Sequence, residues 1–212
     1  MKELKVRITF TEELLGTCSG NPDIHDEFIA SKSPNNDTAD EEVEAVKLSV
    51  AEQIEKSMTV FPRTEDGKPF IWDYQWRGFF KEACGGLRKV KGMKSEKVTA
   101  YKKKIDLNIF VKERKIPLIF EGEVGNCQRP LRASTAQGER IALACSETVP
   151  AGATCEFTVV CLIDSDVELV KEWLDYGQWH GMLQWRNSGK GRYLWNALND
   201  KGEVIGGNNT SR

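Results

Sequence analysis

The sequence has 212 residues, of which 40% are hydrophobic and 29% charged, and its net charge is −2. This length and apolar content exclude a mainly disordered chain, and the near-neutral charge excludes a strongly basic coat for nucleic acid. The first residues are charged where a signal peptide is apolar, no apolar run approaches the roughly 18 residues of a membrane helix, and the six cysteines include no CxxC pair. We expect a cytoplasmic protein with no membrane partner, no cofactor and no metal site.

The first third of the chain predicts a strand, a loop and a helix. Four apolar side chains alternate along residues 3–11 as in a half-buried strand: Leu4, Val6, Ile8 and Phe10. Residues 16–37 are rich in turn formers and predict a long loop. Thr38 and Glu41 have capping-box spacing ahead of valines at helical spacing, so a helix is predicted from Thr38.

The middle of the chain predicts a turn, a helix and a hairpin. Residues 65–67 form the turn, and Asp73 is placed to cap a helix that ends near Gly85-Gly86. Residues 105–111 and 116–120 predict two strands paired around a charged turn.

The last third predicts more strands and one helix. The strands lie at 139–146, 155–163 and 191–195, and the helix opens at Val167. Strands with helices on one side predict an α+β fold of ferredoxin-like (RRM-like) type over residues 1–212 as a single domain.

A glycine-rich stretch near the C-terminus is a candidate binding loop. Three glycines allow tight turns, three cations stand beside them and an aromatic ring offers a stacking face: Gly181, Gly189, Gly191, Arg186, Lys190, Arg192 and Trp185. Backbone amides with cations suit a phosphate, and an aromatic plane suits a base. The alternative is a glycine hairpin with solvated charges.

Residues 88–104 are strongly basic, and eight cations stand against one acid: Arg88, Lys89, Lys91, Lys94, Lys97, Lys102, Lys103, Lys104 and Glu96. Such a segment can follow a phosphate backbone, or it can be a solvated connector.

Two further groups are the loop around His25 and a set of aromatic residues. In the loop around His25, the acids Asp23 and Asp26 and the imidazole suit general acid–base catalysis by a metal-independent endoribonuclease, or they are surface residues. Five aromatics are interpreted as core packing: Trp72, Tyr74, Trp76, Phe79 and Phe80.

Residues 66–72 and 186–192 resemble motifs of the RAMP superfamily of CRISPR-associated proteins, in particular the backbone subunits of effector complexes. Those subunits carry a segment of the form D-G-x-P-x-I-x-G-S-S-L-K-G-x-x-R, in which Arg77, Gly78 and Lys81 fall at the lysine, glycine and arginine. Their glycine-rich loop is similar to Arg186, Asn187, Ser188, Gly189, Lys190, Gly191 and Arg192. In this chain Asp73-Tyr74-Gln75 stands where the family has Gly-Ser-Ser.

The resemblance implies a non-catalytic RAMP-like subunit, with inserted loops and a C-terminal glycine-rich loop, that grips single-stranded guide or target RNA by its backbone. Residues 88–104, including Lys102, Lys103 and Lys104, become a basic insertion or thumb. Assembly with itself or related effector subunits in antiviral defence is implied. The alternatives are a stand-alone inhibitor of anti-CRISPR type that binds or replaces a subunit, and the endoribonuclease.

Overall fold

The computed structural model describes residues 1–19, 58–135 and 138–209. Two compact units are present: the first is formed by residues 1–14, 62–123 and 149–212, and the second by 15–61 and 124–148. The elements are β1 (Lys2–Phe10), β2 (Leu14–Leu15), β3 (Cys18–Ser19), β4 (Thr59–Val60), β5 (Phe70–Trp72), α1 (Asp73–Leu87), α2 (Tyr101–Asn108), β6 (Ile109–Val111), β7 (Lys115–Pro117), β8 (Gly125–Thr135), β9 (Gly138–Val149), β10 (Thr154–Cys161), α3 (Asp166–His180), β11 (Tyr193–Leu198) and β12 (Val204–Gly207), with 3-10 turns at Lys94–Lys97 and Arg186–Ser188. The predicted α+β class is confirmed, whereas the single domain over 1–212 stays a prediction.

The first unit is built on a five-stranded sheet in the order β12-β11-β1-β10-β6, with antiparallel neighbours throughout. The alternation predicted for β1 is confirmed, because its four apolar side chains are all buried while the residues between them are partly exposed. A separate two-stranded sheet pairs β5 with β7.

Helix α1 covers the sheet with a cluster of aromatic rings. Trp76 is fully buried, with its ring centroid 4.4 Å from that of Phe157 in β10 and 5.6 Å from that of Tyr193 in β11. The predicted cap is wrong by one residue. Asp73 is the first helical residue, because the Gln75 side chain accepts a hydrogen bond of 2.9 Å from the Trp72 amide and makes Trp72 the N-cap.

The predicted hairpin of residues 105–111 and 116–120 is also wrong. Residues 101–108 are helical, and β6 and β7 pair with β10 and β5 instead of with each other. Glu113, in the turn that was expected to join them, accepts hydrogen bonds from the amide and hydroxyl of Thr158 at 2.7 and 3.0 Å. Pairing with distant strands buries Ile109 and Ile116, which a two-stranded hairpin in water would leave half exposed.

The second unit contains the long antiparallel pair β8–β9, in a sheet whose order is β2-β9-β4-β3. The strand predicted at 139–146 is confirmed within β9, and β8 was not predicted. Within this unit, the Glu147 carboxylate of β9 accepts a hydrogen bond of 2.7 Å from the amide of Phe61, which follows β4. The helix predicted from Thr38 and most of the predicted 16–37 loop lie outside the described residues.

No helix in the described part of the chain combines the length and the apolar character needed to cross a membrane.

Candidate nucleic-acid interface

The glycine-rich loop connects α3 to β11 and has an unusual backbone. Five of its residues have positive φ: Gly181, Leu183, Trp185, Gly189 and Gly191. The Met182 amide donates to the Gly191 carbonyl at 3.0 Å, and the Gly191 amide donates to the Glu13 carbonyl at 2.8 Å. The base of the loop is therefore closed on itself and tied to Glu13, between β1 and β2.

Two of these glycines are required by the loop itself. A Cβ on Gly191 would lie 2.1 Å from the Met182 carbonyl oxygen, and one on Gly181 would lie 2.4 Å from the Lys190 carbonyl oxygen. Gly189 is different, because its nearest neighbour would be the Arg192 side chain at 3.5 Å. Gly181 and Gly191 thus allow the two ends of the loop to approach each other closely.

Arg186 joins this loop to helix α1. Its guanidinium donates to the Glu82 carboxylate, and its Nη1 lies 3.3 Å from His180 Nε2, which is 3.1 Å from Glu82 Oε1. The His180 ring stacks on Tyr176 at 5.0 Å. Burial raises the pKa of Glu82, but the hydrogen bonds and charges of Arg186 and His180 outweigh it and hold the pKa below its ordinary value of 4.5.

We expect Glu82→Gln to remove part of the acid sensitivity of the fold. A carboxyl group whose pKa is lowered by folding stabilises the folded state above its unfolded pKa, and the contribution is lost as pH falls through the folded pKa. The difference in melting temperature between wild type and Glu82→Gln should therefore be present above about pH 4.5 and shrink below it. Thermal unfolding followed by circular dichroism across this range measures it.

Glu12→Gln is the matched control, since it makes the same chemical change at an exposed position. A wild-type minus Glu82→Gln difference that stays constant with pH would contradict the role given to the Arg186 contact.

Six of the thirteen predicted cations are paired with acids of the first unit, among them Arg186 with Glu82. The other pairs are Arg77–Asp73 at 3.4 Å, Lys81–Asp106 at 2.5 Å, Lys94–Glu168 at 2.8 Å, Lys104–Asp166 at 2.7 Å and Lys190–Glu13 at 3.1 Å. Seven predicted cations form no ion pair within residues 1–19, 58–135 and 138–209: Arg88, Lys89, Lys91, Lys97, Lys102, Lys103 and Arg192. Arg192 Nε is also buried without a hydrogen-bond partner among those residues. The positive charge available to a ligand is thus smaller than the residue count indicates.

The basic segment 88–104 is anchored on helix α3. Glu172 accepts hydrogen bonds from the Lys94 amide at 2.6 Å and from the Ser95 amide and hydroxyl at 3.0 and 2.5 Å. Ser95 is fully buried, and its hydroxyl accepts a hydrogen bond of 2.8 Å from Trp173 Nε1. The middle of the segment is therefore packed, while Lys102 and Lys103 point outward.

An exposed stripe runs along α1 at four-residue spacing, through Tyr74, Gly78 and Glu82. A Cβ on Gly78 would meet nothing within 4 Å. A glycine inside a helix costs about 1 kcal/mol of stability relative to alanine. No contact among the described residues requires a glycine at this position. Asn187 and Ser188, in the 3-10 turn beside Arg186, are exposed as well.

The assignment of all five aromatics to the core is wrong for two of them. Trp76, Phe79 and Phe80 are buried, whereas Tyr74 is 48% exposed and Trp72 is partly exposed. The missed signal was the spacing of four between Tyr74 and Gly78, which places the ring and the open glycine on one side of the helix.

No protein-family model matches the chain, and no curated protein matches its sequence. Among solved structures, it is similar to a chain of the type III-B Cmr-beta bound to cognate target RNA, determined by cryo-EM. The TM-score is 0.49 at 9% sequence identity, over 93% of this chain and 60% of that chain. This chain therefore spans less than two thirds of the length of the protein that it matches.

The remaining candidates concern catalysis and metals. His25, Asp23 and Asp26 lie outside the described residues. Within the described ranges, no group of three or more histidine, cysteine, aspartate and glutamate side chains is placed to hold a metal ion.

Proposed function

We propose that this chain is a non-catalytic, RNA-binding, RAMP-like subunit of a CRISPR-type ribonucleoprotein that acts in the cytoplasm. One observation carries the proposal: the glycine-rich segment that resembles the family contacts α1 directly after the other such segment, more than a hundred residues away, where Arg186 meets Glu82. Guide or target RNA is the proposed ligand, and copies of this chain or related subunits are the proposed neighbours.

The ferredoxin-like architecture is part of the proposal. Its support is the chain order β1, α1, β6, β10, α3, β11, together with the spatial order β11-β1-β10-β6 within the antiparallel sheet. This is a split β-α-β arrangement with α2 added before the second strand.

The proposed path of the RNA crosses α1 at Gly78. The open space over Gly78 admits a sugar–phosphate chain at close range. Arg192, which has no ion pair in the described ranges, is the proposed phosphate contact, and Arg77, Lys81 and Lys190 flank the path. Because most of these cations already have acidic partners, RNA binding should depend on shape more than on net charge.

Gly78→Gln tests this path by separating stability from binding. Replacing a helix-interior glycine should raise the free energy of unfolding by about 0.5–1 kcal/mol, because the side chain has open space. The same side chain should obstruct the RNA and weaken binding about tenfold. Fluorescence anisotropy with labelled single-stranded RNA measures binding, and thermal unfolding measures stability.

The control is Gly206→Gln, which adds the same atoms in open space on strand β12. It should leave RNA affinity unchanged. Equal RNA affinity for wild type and Gly78→Gln would show that α1 is not part of the RNA interface. Absence of RNA binding by the wild type would overturn the proposed function.

The stand-alone inhibitor is retained as a second candidate because of the ion pairs. A surface whose cations are neutralised within the chain fits a protein partner as well as it fits RNA. Tight binding to an effector complex by wild-type protein that does not bind RNA alone would favour this candidate.

A further inference from the structure

An aromatic and arginine cluster lies at the start of α1. The pairing of β5 with β7 sets Trp72 opposite Lys115, and the Asp73 amide donates to the Arg114 carbonyl at 3.2 Å. Backbone hydrogen bonds therefore hold Arg114 beside two aromatic rings. These are Trp72, which precedes α1, and Tyr74, which lies in its first turn.

The two rings and the guanidinium lie against one another in a three-membered cluster. Trp72 and Tyr74 are stacked, with centroids 6.1 Å apart and ring planes 19° apart. The Arg114 Cζ lies 5.3 Å from the Trp72 centroid and 5.8 Å from the Tyr74 centroid, within the range of cation–π attraction. The orientation of the Tyr74 ring is thus fixed by contacts, although 48% of the residue is exposed.

The charge around this cluster is positive. Arg77 and Arg114 share a single carboxylate, that of Asp73, and Lys115 lies over the Phe70 ring at 5.7 Å. Three cations with one acid beside a tyrosine that is about half exposed are complementary to a nucleotide, which offers a flat base and a phosphate.

We propose that Tyr74, supported by Trp72 and Arg114, stacks one unpaired base of a bound single-stranded RNA. The proposal rests on the RNA-binding function above, because Tyr74 and Gly78 are neighbours on the same face of α1. Stacking on an aromatic ring tolerates every base, so the site binds RNA without selecting its sequence.

The experiment uses the full chain and an RNA of uridines with 2-aminopurine at every third position. Stacking on an aromatic ring quenches the fluorescence of 2-aminopurine, and an anisotropy label at one end reports affinity. Tyr74→Leu should weaken binding by roughly ten- to a hundredfold and reduce the quenching. Tyr74→Phe keeps the ring and should match the wild type. Phe110→Leu removes a partly exposed ring from strand β6 and should also match the wild type.

A second measurement needs no variant. Wild-type protein should bind a ribose–phosphate chain without bases about tenfold or more weakly than the uridine RNA of equal length. Equal affinity for the two chains, or unchanged affinity and quenching in Tyr74→Leu, would overturn the stacking site and leave RNA binding in place. Failure of the wild type to bind either chain would overturn the stacking site together with the proposed function.

Discussion

Trp76→Ala is expected to lower the free energy of unfolding by about 3–5 kcal/mol. The indole is completely buried between α1 and the sheet, where its ring meets those of Phe157 and Tyr193. Removing it leaves a cavity that α1 does not fill, because Phe79 keeps its own contact with Tyr193 and holds the helix over the sheet. For a chain of this size, the melting temperature should fall by about 10 °C.

Trp179→Ala is the matched control, since it removes the same side chain where 70% of the residue is exposed. Its melting temperature should stay within about 2 °C of the wild type. Similar losses for the two variants would contradict the packing of α1 on the sheet, because only one indole lies in that contact.

Local sequence patterns predicted the elements whose conformation does not depend on which strands or helices they pack against. Strand β1 follows from alternation alone, because one face of a sheet is buried whichever strands flank it. Helix α1 follows from its periodic apolar face. Its first residue was misplaced because the side chain that bonds the Trp72 amide belongs to Gln75, a residue type with many other uses.

Long-range pairing is what the sequence left open. The runs at 105–111 and 116–120 are close in sequence and alike in composition, so a hairpin was the simplest prediction. The structure instead uses them in two separate sheets, whose partners β10 and β5 lie about 40–50 residues away. A preference of this kind depends on the area buried against those partners, and no local window contains it.

The sequence predicted which residues belong to the candidate site but not which of its charges are paired. The sequence names Arg186 and Lys190 but does not show that Glu82 and Glu13 neutralise them. The sequence likewise predicted Tyr74 to be a core aromatic, because it lies close to Trp76 in the chain. Residues two apart do not share a helix face, so Tyr74 is exposed while Trp76 is buried. Contact information decides both points.

Gly191→Ala is expected to disrupt the glycine-rich loop and to lower the free energy of unfolding by about 3 kcal/mol. Two penalties combine at this position. The backbone has φ of 70°, which costs an alanine about 1–2 kcal/mol, and its Cβ would lie 2.1 Å from the Met182 carbonyl oxygen. The loop must open at its base to accept the methyl group, so the Arg186 contact with Glu82 and any RNA affinity should weaken with it.

Gly189→Ala separates the two penalties within the same loop. Its φ of 83° is also positive, but the nearest atom to its Cβ would be a flexible arginine carbon at 3.5 Å. It should therefore cost only the conformational penalty of about 1–2 kcal/mol. Chemical denaturation of the two variants measures the difference, which reports the close approach at Gly191. If both variants lose the same free energy, the crossing of Gly191 over Met182 does not hold the loop closed, and its glycines serve backbone conformation alone.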